Sequence, residues 1–243
     1  DPAKPFLQHT SFTDIIARME FDSQLRLHVM AGIEPIEIVF RTAVNEHMSR
    51  QHCSPFWYTE EGLFCRDFDF TGFLSKARKN FECSKELFVR HYREHYDYPY
   101  MPPGWMLIEV TTFGMWSKLY AGLLDHVDKD AVADRFGPYP HAVFASWMHC
   151  ISTLRNLCAH HGRLWNKIFG VQPKIPRGYS LTFATDKRRF ATYAYVMKSL
   201  LNPLGRGQEW SEGLKTLLRP LNAETLYQMG FSPSWANDPF WKA

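Results

Sequence analysis

The chain has 243 residues, 45% hydrophobic and 22% charged, with a formal net charge of +3. That is enough apolar material for a sizeable core in one or two domains, and no apolar run approaches the ~18 residues needed to cross a bilayer. Five cysteines, odd in number and without a C-x-x-C pair, argue against a disulfide scaffold and fit a reduced cytoplasm.

Residues 1–8, with Pro2 and Pro5, read as a loop. The chain opens on Asp1 without a helix-start pattern, so a truncated or processed N-terminus is expected. Thr13 is placed to cap a helix from Asp14 that carries Ile15, Ile16, Met19, Leu25, Leu27 and Met30. Gly32 and Pro35 interrupt this pattern, and Pro35 either starts a second helix over residues 36–48 or kinks one long one. Within it Glu37 and Arg41 stand four apart, either as a surface ion pair or as supports for a site elsewhere.

An irregular aromatic connection over residues 54–70 follows, then helices over 71–81 and, capped by Ser84, up to about residue 96. His91 and His95 are four apart, but no third ligand completes a metal site. Pro102-Pro103 opens a heavily apolar segment through Leu123, expected to be the buried central helix, on which Glu109 requires a partner. A short acidic helix over 128–136 leads to the breaker Gly137-Pro138-Tyr139-Pro140. Residues 167–180 form a basic loop. Asp186, capped by Thr185, opens a helix carrying Lys187-Arg188-Arg189, and shorter helices cover 209–218 and 223–229 before an aromatic tail. Strand-like alternation is scarce, so the fold is expected to be all-α.

The stretch HAVFASWMHCISTLRNLCAHHGRLWN, residues 141–166, carries the densest chemistry. Val143, Phe144, Trp147, Ile151, Leu154 and Cys158 make one apolar side of a helix, which Gly162 closes. Against it stand Arg155, Asn156, His160, His161 and Arg163. Asn156 and His160 share a face, whereas Arg155 lies roughly 140° round from His160 and reaches across only by its long stem. Histidine in a last turn, where the helix dipole is negative, suits proton transfer near neutral pH; arginine offers a fixed, forked charge that matches phosphate. Together they supply what metal-free RNA cleavage needs.

Charge is unevenly placed. Residues 144–219 hold twelve Lys or Arg against three Asp or Glu, a net of +9, leaving about −6 for the rest. This basic half surrounds the motif and suits a polyanion, with Arg163, Lys167, Lys174, Arg177, Lys187, Arg188 and Arg189 as candidate RNA-binding residues.

Arg155-Asn156-x-x-x-His160 resembles the catalytic motif of HEPN ribonucleases, and RNLCAHHGRLWN resembles the signature of Abi-like proteins of bacterial abortive infection, the AbiD/AbiF group. MPPGWMLIEVTTFGMWSKLY, residues 101–120, and FTDIIARMEFDSQLRLHVMAGIEPIEIVFRT, residues 12–42, resemble the same group. The resemblance extends to about residue 180. It implies a HEPN-like helical bundle with additional peripheral helices, forming a single domain with its core over about 12–202 and a helical extension over about 203–243. It also implies a metal-independent endoribonuclease toxin of an anti-phage or toxin–antitoxin system, acting in the bacterial cytoplasm without a cofactor. Arg155, Asn156 and His160 would be catalytic, and His161, Arg163, Glu37 and Arg41 supporting. Products would carry a 2′,3′-cyclic phosphate and a 5′-hydroxyl, and two motifs would meet across a homodimer. Similarity to the AbiF group also implies a structured noncoding RNA partner, either regulating the nuclease or bound by a noncatalytic protein.

Two other chemistries are weaker. His149, Cys150, Cys158, His160 and His161 concentrate zinc-type ligands, but both cysteines fall on the apolar side and lack ligand spacing. Cys158 and His160, two apart on a helix, point away from each other, against a cysteine hydrolase.

Overall fold

A computed structural model describes residues 11–178 and 181–242; the loop expected over residues 1–8 lies outside them. Eleven α-helices and four short 3-10 turns are found among the described residues, with two isolated β-bridges and no sheet, so the chain is all-α. No helix among them is long and apolar enough to cross a membrane.

The organising element is α1, Phe12–Gln51, a single helix of 40 residues with Pro35 inside it. Its cap is Ser11, two residues before the expected Thr13. Ser11 accepts from Asp14 N, and the Asp14 carboxylate takes the Ser11 N–H, a reciprocal capping box. Asp22, Leu25, Val29, Ile36, Phe40 and Val44 follow one buried stripe, which the rest of the fold covers.

Helices α2 (Phe70–Cys83) and α3 (Leu87–His95) come next, sharing a small separate core of Phe81, Val89 and Tyr92. The segment expected to be one central helix is two: α4, Gly104–Val110, and α5, Phe113–Gly122. Thr112 caps α5 by accepting from Met115 N, and Arg41 of α1 donates to the freed carbonyls of Ile108 and Thr111, at 3.0 and 3.2 Å. Glu109 is exposed on α4 and requires no buried partner.

After α6 (His126–Ala133), α7 (His141–Ala159) packs along α1 and α5, its Phe144 against Phe40 and Tyr120. The central buried helix is instead α8, Phe190–Leu201, all twelve of whose residues are buried. It begins four residues later than expected, because the Asp186 carboxylate takes the Arg188 N–H in a local turn. Lys187-Arg188-Arg189 therefore sits on a turn and not on a helix. Helix α9 (Gly207–Leu218), α10 (Ala223–Gln228) and α11 (Pro239–Lys242) complete the chain. Trp210 and Trp241, from the segment after residue 202, join the same buried cluster as Leu25.

Gly32 allows α9 to approach α1: a Cβ there would lie 2.4 Å from Trp210 Nε1. His28 and Trp210 stack at 5.2 Å and exchange hydrogen bonds with each other's carbonyls, at 2.9 and 3.2 Å. Burial pushes the His28 pKa below its ordinary 6.5, only partly opposed by the bond to Trp210 O. Folding thus favours the neutral ring. Its contribution is complete above pH 6.5 and is lost as pH falls from there through the lowered value. Urea midpoints measured from about pH 7.5 down to about pH 5 should fall more steeply for the wild type than for His28→Gln.

Candidate functional site

The end of α7 closes in a Schellman turn. Gly162 N donates to Leu157 O at 2.8 Å and His161 N to Cys158 O at 3.0 Å. The left-handed residue is His161, at φ 56°, not the glycine after it. Gly162 is needed for another reason: a Cβ there would sit 2.1 Å from Leu157 Cδ1 and 3.0 Å from Leu157 O. A histidine at positive φ is a strained backbone position of the kind that collects at functional sites.

What fixes this turn is Asp22, 142 residues earlier. One of its carboxylate oxygens accepts from both Leu164 N and Trp165 N, each at 2.9 Å, and the other pairs with Arg26. Leu164 is fully buried, and Trp165 lies under two guanidinium groups, Arg18 at 5.1 Å and Arg163 at 5.9 Å from its ring centre. The chain is thereby turned sharply after the two histidines, leaving His160, His161 and Arg163 exposed. The His160 ring makes no hydrogen bond among the described residues. Sequence reasoning missed Asp22, although a carboxylate on the stripe of Leu25 and Val29 was a readable signal of a buried polar partner.

Arg155 faces α1. Its Nε lies 3.6 Å from Glu37 Oε2, an ion-pair distance longer than a hydrogen bond, and its side chain is 38% exposed. Glu37 is buried and also pairs with Arg41 at 3.3 Å. Arg41 turns inward to the carbonyls of Ile108 and Thr111, so it lines the surface around Arg155 as an already bonded cation and not as a free group. A shallow groove of about 450 Å³ lies here, lined by Met30, Glu34, Ile38 and Arg155 among others.

Asn156 is exposed on the other side of α7, in a groove of about 650 Å³ between α5 and α7. Within one chain, the motif's arginine and asparagine thus open onto different grooves, with His160 at the helix end beyond both.

The basic set is spread beside this helix end. Lys174 and Arg177 are exposed on a loop that is ordered, not loose: Lys174 N donates to Ser146 Oγ, and Lys174 O accepts from Trp147 Nε1. Lys167 is half-buried. Lys187 and Arg188 are exposed, the latter 3.4 Å from Asp186. Arg189 turns inward, donating to Asn166 Oδ1 at 2.9 Å and pairing with Asp186 at 3.9 Å. The Arg188 N–H, more than any charge, holds the Asp186 carboxyl below its usual range. Cys150 and Cys158 are buried, and burial pushes both thiols up to about 12, against a thiolate ligand or nucleophile. No group of three His, Cys, Asp or Glu that could hold a metal ion is found among the described residues. His91 and His95 stack on each other at 4.1 Å, with His95 bonded to the His91 carbonyl.

No curated protein and no solved structure matches the chain. The family model described as Abi-like protein matches residues 1–166, from the first residue to the end of the turn that Asp22 anchors. That match spans well over half of the chain and takes in α1, the Arg155–Asn156–His160 set and both grooves beside it, and the chain belongs to the Abi-like protein family.

Proposed function

We propose that this Abi-like protein is a metal-independent endoribonuclease of the HEPN type, acting in abortive-infection defence. His160 takes the proton from an RNA 2′-hydroxyl, and the 2′-oxygen attacks the adjacent phosphorus. The bond from phosphorus to the 5′-oxygen breaks, giving a 2′,3′-cyclic phosphate and a 5′-hydroxyl. Arg155 stabilises the charge that builds on the non-bridging oxygens. The leaving oxygen takes its proton from a second histidine, because one imidazole that has just accepted a proton in the same step is not poised as both base and acid.

The placement of Arg155 carries this reading. A buried carboxylate stands beside its guanidinium, whose side chain is still 38% exposed, while His160, whose ring makes no hydrogen bond among the described residues, stands farther on at the helix end. Glu37 acts as the positioning residue of Arg155. The second histidine comes from a second copy. Phe12, Met19, Leu27 and Ile38 are large apolar side chains left exposed along α1, with Ile38 lining the Arg155 groove, and self-association on this face brings two motifs together.

A second reading is a noncatalytic protein that holds a structured noncoding RNA on Arg163, Lys174, Arg177, Lys187 and Arg188. The divergence of Arg155 and Asn156 onto two grooves favours it. Labelled RNA incubated in EDTA with wild type, Arg155→Ala and His160→Ala separates the two. Cleavage by the wild type alone, with RNA binding kept in all three, supports the nuclease. Binding without cleavage in any of them leaves the RNA-holding role.

A further inference from the structure

We propose that the groove between α5 and α7 is a nucleotide subsite, which receives one nucleotide of the RNA beside the bond that is cut. This deepens the nuclease reading and rests on it for the word "cut", though not for binding itself.

The groove measures about 650 Å³, within the roughly 300–1,000 Å³ usual for small-molecule sites. One wall is a single face of α7, made of His149, Ser152, Thr153 and Asn156 at spacings of three, one and three residues. The next position on that face is His160, four residues beyond Asn156, so a ligand in the groove leads directly to the proposed general base. The Ser152 and Thr153 hydroxyls both donate to His149 O at 2.9 Å, which leaves their oxygens as acceptors.

A second wall is aromatic. Half-buried Phe68 lies 5.9 Å, centre to centre, from the largely buried Phe73, and offers apolar surface to a base. The rim carries Lys76 and Lys118, both exposed and in no ion pair among the described residues, as a phosphate would require. Of the two carboxylates in the lining, Asp69 is committed to the Gly72 N–H at 3.0 Å. Asp67 is exposed, and the amino edge of a base is its natural partner.

Gly114, in the first turn of α5, completes the case. Its φ is not positive, and a Cβ built there meets nothing within 4 Å. Neither backbone nor packing requires glycine, but its lack of a side chain keeps that wall low. A larger residue would fill the groove without disturbing the core.

The test titrates the full chain with the four nucleoside 3′-monophosphates, with inorganic phosphate as a control, by calorimetry. At least one nucleotide should bind with one-to-one stoichiometry, and phosphate alone much more weakly. Lys118→Ala should weaken that binding about fivefold, and Gly114→Leu about tenfold or more, while the Gly114→Leu melting temperature stays level or rises. Ala121→Phe, at an exposed position on the same wall, is the second filling variant and should act likewise. Absence of nucleotide binding overturns the proposal, as does binding that both filling variants leave intact, or phosphate binding as tightly as the nucleotide. The Arg155→Ala/His160→Ala double variant should still bind, so a failed nuclease and a failed subsite give different results.

Discussion

Asp22→Ala is expected to lower stability by about 3 kcal/mol and to abolish RNA cleavage, whereas Asp22→Asn keeps the fold and much of the activity. One Asp22 oxygen accepts two backbone N–H groups, those of Leu164 and Trp165, in a segment whose Leu164 is fully sealed from solvent. Alanine leaves both donors without a partner, and each unsatisfied buried donor costs about 1–3 kcal/mol. It also removes the counter-charge of Arg26. Asparagine keeps a carbonyl oxygen for the two donors and loses only the ion pair, a deficit of about 1 kcal/mol. Loss of activity follows from geometry. Freed from α1, the turn after Ala159 no longer directs His160 outward. Chemical denaturation of the three proteins, with cleavage assayed at a temperature where all remain folded, separates the structural from the catalytic part.

Glu37→Gln is expected to reduce cleavage about a hundredfold while lowering stability by about 2 kcal/mol. Glu37 bridges two guanidinium groups, Arg41 at 3.3 Å and Arg155 at 3.6 Å. The first pair is the more buried and carries most of the energy. The second, with Arg155 over a third exposed, is screened by water and contributes little to stability. Its effect is on position. Glutamine can accept from one arginine and neutralises neither, so Arg155 swings free of α1. Arg41 stays held by the carbonyls of Ile108 and Thr111, which keeps α4 and α5 in place. A purely structural Glu37 would predict activity that tracks the folded fraction. A positioning Glu37 predicts the loss in fully folded protein, together with unchanged RNA affinity.

Local signals were legible in the sequence and long-range ones were not. Gly162, Pro102-Pro103 and the apolar repeat of Val143 to Cys158 fixed where helices lie, because caps and periodicity act within a few residues. The break between α4 and α5 was hidden. Residues 104–123 read as continuous apolar sequence, and the carbonyls exposed at Thr111 are satisfied by Arg41, 70 residues away. The helix ahead of Phe190 was over-extended because Asp186 bonds its own backbone two residues on, a competition that propensity does not register. In the site, the end of the helix just ahead of Gly162 followed from local signals alone. Neither Asp22 nor the groove lined by Phe68, Lys118 and His149 could be placed, since each joins segments that only tertiary packing brings together.

The most direct measurement is cleavage in EDTA of a short RNA carrying one 2′-O-methyl group at its mapped cut site, beside the unmodified strand. His160 and Arg155 acting on one phosphodiester predict that the unmodified RNA yields a 2′,3′-cyclic phosphate and that the methylated strand stays whole. Scission of the methylated strand at the same bond, or a wild-type rate in folded His160→Ala or Arg155→Ala, would contradict it.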